Sequence, residues 1–387
     1  MIPITKPLLD ESEALAAADV VRSGWLSQGA QVAGFEAEFA ALVRAPYACA
    51  VSNCTTALHL ALLAAGVGPG DEVITVSHSF IATANVIRQC GATPVFVDID
   101  PVTFGLDPDA LAAAVTARTR AILCVHQIGM PCDLVRILAI ARAHGLPVIE
   151  DAACAIGSEI RMDGDWARIG APHGDVACFS FHPRKVITTG EGGMLTTKHA
   201  DWDRQFRLLR QHGMSVPDTV RHQASEVVFE EYPVSGFNYR MTDIQAAVGR
   251  RQLERLPDIV SRRRALAAAY AQMLADVPNV QPPIQPDWAR SNWQSYCVRL
   301  PEWADQRLVM QAMLDRGVAS RRGIMCSHLE EPYADQPRTS LPQSERAHRH
   351  SVLLPLYPQM TADVQSQVVQ ALQEALSAAR GPARQVA

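Results

Sequence analysis

The sequence predicts an α/β protein, a large domain with a mostly parallel sheet between helices plus a smaller C-terminal α+β domain. Three observations carry that expectation. Across residues 47–197 short apolar runs alternate with helical patterns. Those runs lack polar alternation, as strands buried on both faces do. After residue 242 the pattern changes to one long helix, a Pro-rich connection and a short mixed segment. A chain of 387 residues has room for two such domains, placed at 1–245 and 246–387.

In order, "YACAVS" leads into the helical "TTALHLALLAAG", "DEVITVS" into "FIATANVIRQCG", and "TPVFVDID" into "DALAAAV". "RAILCVH" then precedes "DLVRILAIARAHG", and "LPVIEDA" precedes the strand "DVACFSF". Right-handed crossovers bring the carboxyl ends of these strands to one edge, where such sheets bind ligands. "TDIQAAVGRRQLERLPDIVSRRRALAAAYAQMLAD" reads as a long helix bent near Pro257. "VPNVQPPIQPDWA" connects it to the strand "QSYCVRL" and to helices in "QRLVMQAMLDRG" and "TADVQSQVVQALQEALSAA". The tail "RGPARQVA" is expected to fray.

Composition narrows the function. With 48% hydrophobic and 19% charged residues the chain is globular, and its net charge of −5 leaves no basic stripe for nucleic acid. The cluster "SRRRALA" reads as a solvated helix face. Nine scattered cysteines without a CxxC pair suit a reducing cytoplasm, not a disulfide framework or a zinc site, so no metal is expected. The start "MIPITKPLLDESEA" has no apolar signal core, and no apolar run approaches the roughly 18 residues of a membrane span. A cytoplasmic protein without membrane contact is expected.

Candidate chemistry gathers at the strand ends. In "FSFHPRKVITTGEGG" the basic pair Arg184–Lys185 follows an apolar strand. A buried ammonium is costly, so the pair either faces solvent or Lys185 is kept for its amine. In "SNCTTALHL", Ser52, Thr55 and Thr56 stand where a strand enters a helix: an anion site, or plain capping. Asp151 ends "LPVIED" as a carboxylate in want of a cation, or as a helix cap for "AACAIG". Phe80 in "HSFIATAN" stacks on a flat ring, or is core. "GEGG" is no P-loop, though its glycines admit a ligand close to the backbone. A lysine, an acid, an aromatic and a hydroxyl-rich helix start together match what pyridoxal 5′-phosphate (PLP) requires. Burial is expected to lower the Lys185 pKa and keep its amine partly neutral.

From "GWLSQGAQVAGFEAEFA" through "GVGPGDEVITVSHSFIATANVI" and "FSFHPRKVITTGEGGMLTT" to "GFNYRMTDIQAAVG", the chain resembles the DegT/DnrJ/StrS family of PLP-dependent sugar aminotransferases. The resemblance implies a type I aminotransferase fold, with Lys185 as the Schiff-base lysine and Asp151 as partner of the pyridine nitrogen. It implies phosphate contacts from Thr55, Thr56 and Ser180, and ring stacking by Phe80. Asn238 resembles an asparagine reaching the phosphate from the neighbouring subunit, which implies a homodimer with shared active sites. Cys54 replaces the usual glycine before the threonine. Cys154, where relatives carry Gln or His facing the ring oxygen, is placed with the cofactor contacts and not among catalytic groups. His182, Arg322 and His328 resemble residues near a substrate pocket, Arg321 lies beside them, and His126 is left unassigned. The implied reaction moves an amino group from glutamate or glutamine to a nucleotide-linked keto sugar. A keto-cyclitol acceptor is the alternative; the family's dehydratases carry histidine in place of Lys185. A non-enzymatic regulator on the same scaffold stands furthest away.

Overall fold

The computed structural model describes residues 1–217, 220–221, 224–336 and 340–380; most of the tail expected to fray therefore lies outside the described residues. Two helices that the sequence reading did not assign come first, α1 (Glu11–Ser23) and α2 (Ala30–Val43). Asp10 caps α1 in a reciprocal box with Glu13, each carboxylate accepting an N–H at 2.8 Å. Gly29 has no side chain with which to cap α2. Asp243 does so from far along the chain, accepting from the N–H groups of Gly29, Gln31 and Val32 at 2.7, 3.3 and 3.2 Å. A Cβ on residue 29 would lie 2.4 Å from Asp243 Oδ2, so glycine is what admits the carboxylate.

The α/β succession then unfolds as β1 (Tyr47–Val51), α3 (Cys54–Ala64), β2 (Glu72–Val76), α4 (Ala82–Gln89) and β3 (Thr93–Val97). It continues through α5 (Pro108–Ala114), β4 (Thr119–Val125), α6 (Leu134–His144) and β5 (Val148–Asp151). A hairpin follows, β6 (Glu159–Met162) and β7 (Asp165–Arg168), then β8 (Val176–Ser180), β9 (Gly193–Thr197) and α7 (Ala200–Leu209). The large sheet has the order β1-β9-β8-β5-β4-β2-β3. All its strands run one way except β9, which is antiparallel to both neighbours. The hairpin and β9 were not distinguished in the sequence; "GMLTT" is too short and follows glycines that read as loop.

Phe35 and Phe39 of α2 pack on Phe179 of β8 and on Phe181 just beyond it, with ring centroids 5.0–5.8 Å apart. Pro257 stands inside the helix Asp243–Leu274 without ending it. The first half of that helix puts Leu253, Leu256 and Ile259 into the core of the large sheet. Its second half puts Leu266, Tyr270 and Leu274 into a separate core. The two-residue β10 (Ala289–Arg290) returns to pair with β6, before β11 (Tyr296–Arg299), β12 (Arg321–Arg322) and β13 (Ser351–Leu354) form a small sheet over the second core. No described helix is long and apolar enough to cross a membrane.

Candidate active site

The sheet register brings the predicted residues to one edge. Val51, Gly193 and Ser180 lie side by side across β1, β9 and β8, and Asp151 pairs with Cys178 on the next strand. Parallel strands put their carboxyl ends together, so α3, Ser180, Asp151 and the turn after β2 share that edge.

Asp151 is 6% exposed, and turns, not a helix, follow it, so the capping alternative falls away. Its carboxylate accepts from Thr83 Oγ1 at 2.8 Å and from the Ala153 N–H at 3.2 Å. Among the described residues no Lys, Arg or His makes an ion pair with it. Burial raises its pKa above the ordinary carboxylate value, against the pull of those two hydrogen bonds and of Lys185. Thr83 was missed in the sequence, although a threonine at the start of α4, at the end of the strand-to-helix turn, was the available clue.

Arg184 is exposed, whereas Lys185 is half-buried with Nζ 3.1 Å from Cys154 Sγ. Desolvation pushes the amine's pKa down, but Cys154, Cys54 and Asp151 push it up by more, so the value lies above that of an ordinary lysine. The expected lowering fails because the sulfurs and the carboxylate crowd the one cation among them. Cys154 is thus a direct neighbour of the amine.

The N-cap of α3 is Asn53, not one of the hydroxyl residues. Its Oδ1 accepts from Thr56 N–H at 2.9 Å, and Thr56 Oγ1 donates to the Asn53 carbonyl at 2.8 Å. Thr55 is half-buried in the first turn, whose N–H groups have no partner inside the helix. Cys54 does not disturb the backbone: it opens the helix and buries its thiol, 3.5 Å from the Cys178 carbonyl. The last glycine of "GEGG" serves this turn. A Cβ on Gly193 would lie 2.5 Å from the Asn53 carbonyl carbon and oxygen, so the missing side chain lets β9 slide under the start of α3. Ser180 is buried, its Oγ 3.4 Å from the His182 N–H.

Phe80 is 71% exposed between β2 and α4, so it is no core residue. His182 lies one turn from Lys185, its carbonyl accepting the lysine N–H at 2.8 Å. Arg321 and Arg322 are exposed, with Arg322 3.6 Å from Glu330. The His328 ring is pinned to the end of β2, its Nδ1 2.6 Å from Ser77 Oγ. Asn238 is exposed, while its neighbour Tyr239 accepts the Ser52 N–H at 2.8 Å. His126, unassigned in the sequence, is a buried brace: Nε2 bonds Glu150 at 2.9 Å and Nδ1 accepts the Cys132 N–H at 3.2 Å.

The family model of the DegT/DnrJ/EryC1/StrS aminotransferase family matches residues 7–373. The spore coat polysaccharide biosynthesis protein SpsC of Bacillus subtilis (strain 168) is 38% identical over 385 residues, 98% of each chain. The aminotransferase TlmJ from Streptoalloteichus hindustanus superposes with a TM-score of 0.89 at 34% identity, over 98% of this chain and 99% of that one. DesI, solved in the presence of its TDP-sugar product, superposes with a TM-score of 0.87 at 34% identity, over 98% and 93%. The expected aminotransferase fold is the fold found.

Proposed function

The chain belongs to the DegT/DnrJ/EryC1/StrS aminotransferase family, and we propose that it transfers an amino group from glutamate or glutamine to a nucleotide-linked keto sugar. The observation that carries this reading is an inward lysine amine beside a dry carboxylate that makes no ion pair among the described residues. PLP fits that arrangement, because a protonated ring nitrogen is the partner that Asp151 lacks. When bound, the cofactor supplies an aldehyde for the migrating amine and a ring that withdraws electrons from the substrate carbon.

The chain's own residues have these parts. Lys185 Nζ would hold the cofactor, and the same amine, in its neutral form, would take the proton from the amine-bearing carbon. Cys154 Sγ steadies that amine. Asp151 keeps the ring nitrogen protonated, and Thr83 orients Asp151. The first turn of α3, with Thr55 and Thr56, and Ser180 Oγ bind the phosphate, as a helix start favours anions. Phe80 covers the ring. Asn238, exposed on its own chain, reaches the phosphate of a second copy, making a homodimer with shared sites. His182, Arg322 and His328 border the substrate, His328 by fixing the turn that carries Phe80.

The sugar acceptor rests on relatives: SpsC's name places it in polysaccharide biosynthesis, and DesI was solved with a TDP-sugar. To test it, enzyme loaded with an amino group from glutamate or from glutamine is given nucleotide keto sugars and keto-cyclitols. Return of the yellow cofactor colour with a nucleotide keto sugar is expected. A response to keto-cyclitols alone would overturn the acceptor assignment.

A further inference from the structure

Two adjoining cavities of about 320 and 470 Å³ open in the crevice between the loop after β3 and the small sheet. They share Pro101, Phe104, Gln281 and Arg299, and neither is lined by Lys185, Asp151, Ser180 or the start of α3. Each is of a size that takes a small organic molecule.

We infer that this crevice is a binding site for an organic anion, a phosphate or carboxylate carried on a flat ring. Arg299 is the anchor. Half-buried, it lies over the Phe104 ring at 5.0 Å, and among the described residues it has no carboxylate or carbonyl partner. A guanidinium left without an acceptor in a cavity wall is matched by a planar oxyanion. Arg346 adds a second cation and holds the one acid of the wall, Glu302, at 2.7 Å. His350 lines the same cavity with Nδ1 buried and unbonded. On the other side of Arg299 the wall turns apolar, with Met130, Pro282, Pro283 and Trp293 suited to a ring.

Backbone strain marks the same place independently. Phe104, Asn279, Ile128 and Trp293 have φ of +60°, +63°, +51° and +52°, half of the eight such non-glycine residues described. All four line these cavities. Bulky residues avoid that region, and where they are held in it the fold is maintaining a particular shape. The crevice also touches the lysine at one remove. Between the lining residues Ser291 and Trp293, Asn292 Nδ2 donates to the Cys154 and Ile156 carbonyls at 2.8 Å each, and Cys154 Sγ meets Lys185 Nζ.

The inference stands apart from the transamination reading. Its test titrates the full-length holoenzyme calorimetrically with phenyl phosphate, benzoate and, as a neutral control, benzyl alcohol. Saturable binding of at least one aryl anion and none of the alcohol is expected. Arg299→Met should weaken it about tenfold or more, the loss of a charge-assisted fork. Arg346→Met, at a largely exposed side chain that does not threaten folding, should weaken it severalfold, and it decides the matter if the first variant is unstable. No anion binding, equal binding of the alcohol, or binding unchanged in the variants that fold would overturn the site. So would anion binding that survives these changes but is displaced by a transamination substrate.

Discussion

Asp151 is held dry, and burial raises its folded pKa against the pull of the hydrogen bonds from Thr83 and Ala153 and of Lys185. A carboxylate shifted upward stabilises the fold fully below its unfolded pKa of roughly 4, and that contribution fades as pH rises through the folded value. Without cofactor, then, the native Asp151 weakens the protein near neutrality. Asp151→Asn should raise the thermal midpoint of the cofactor-free protein, and by more as pH increases, while lowering turnover by about 100-fold or more. Melting curves across pH on both proteins check the first part, and steady-state assays the second. A variant less stable than wild type at neutral pH would show that Lys185 and the two hydrogen bonds outweigh the burial of the charge.

At the scale of elements, the site depends on backbones that approach closely. β9 passes beneath the α3 N-cap only because residue 193 has no Cβ. Gly193→Ala drives a methyl into the Asn53 carbonyl, and with backbone on both sides neither can yield cheaply. We expect a loss of about 1–3 kcal/mol, as overpacking costs, read by urea denaturation, with weaker cofactor retention because the turn proposed to bind the phosphate is displaced. A loss of stability with unchanged retention would mean that α3 is not the phosphate cradle. The motif "GFNYRMTD" divides similarly between roles: Thr242 caps the long helix, Asp243 caps α2, and Asn238 faces outward.

For the whole molecule, the segment leading to Asn238 exposes apolar side chains. Val227 and Phe229 are 83% and 85% exposed, and Tyr232 is 58% exposed. A contiguous apolar stretch of this kind is what a second copy would cover. The proposed sharing of sites makes a definite forecast. Lys185→Ala and Asn238→Ala homodimers should each be inactive or nearly so, with folds intact, yet mixing the two should restore activity through hybrid dimers that carry one complete site. Mixtures no more active than their components would place Asn238 in its own chain's site or outside any.

Much of this was legible in the chain because strand ends and helix starts are local events. A buried-strand pattern shows where Asp151 emerges, an apolar strand running into a basic pair draws attention to Lys185, and Ser180 is read from the family resemblance. Composition and pattern sufficed for the α/β class. What they could not supply is who meets whom. Whether the amine's pKa rises or falls depends on a thiol 31 residues away in sequence, at position 154. The partner of Asp151 comes from α4, the cap of α2 from residue 243, and the reason for Gly193 from Asn53. Propensity and periodicity act between near neighbours along the chain, whereas electrostatics and steric exclusion act between neighbours in space, and only folding decides those.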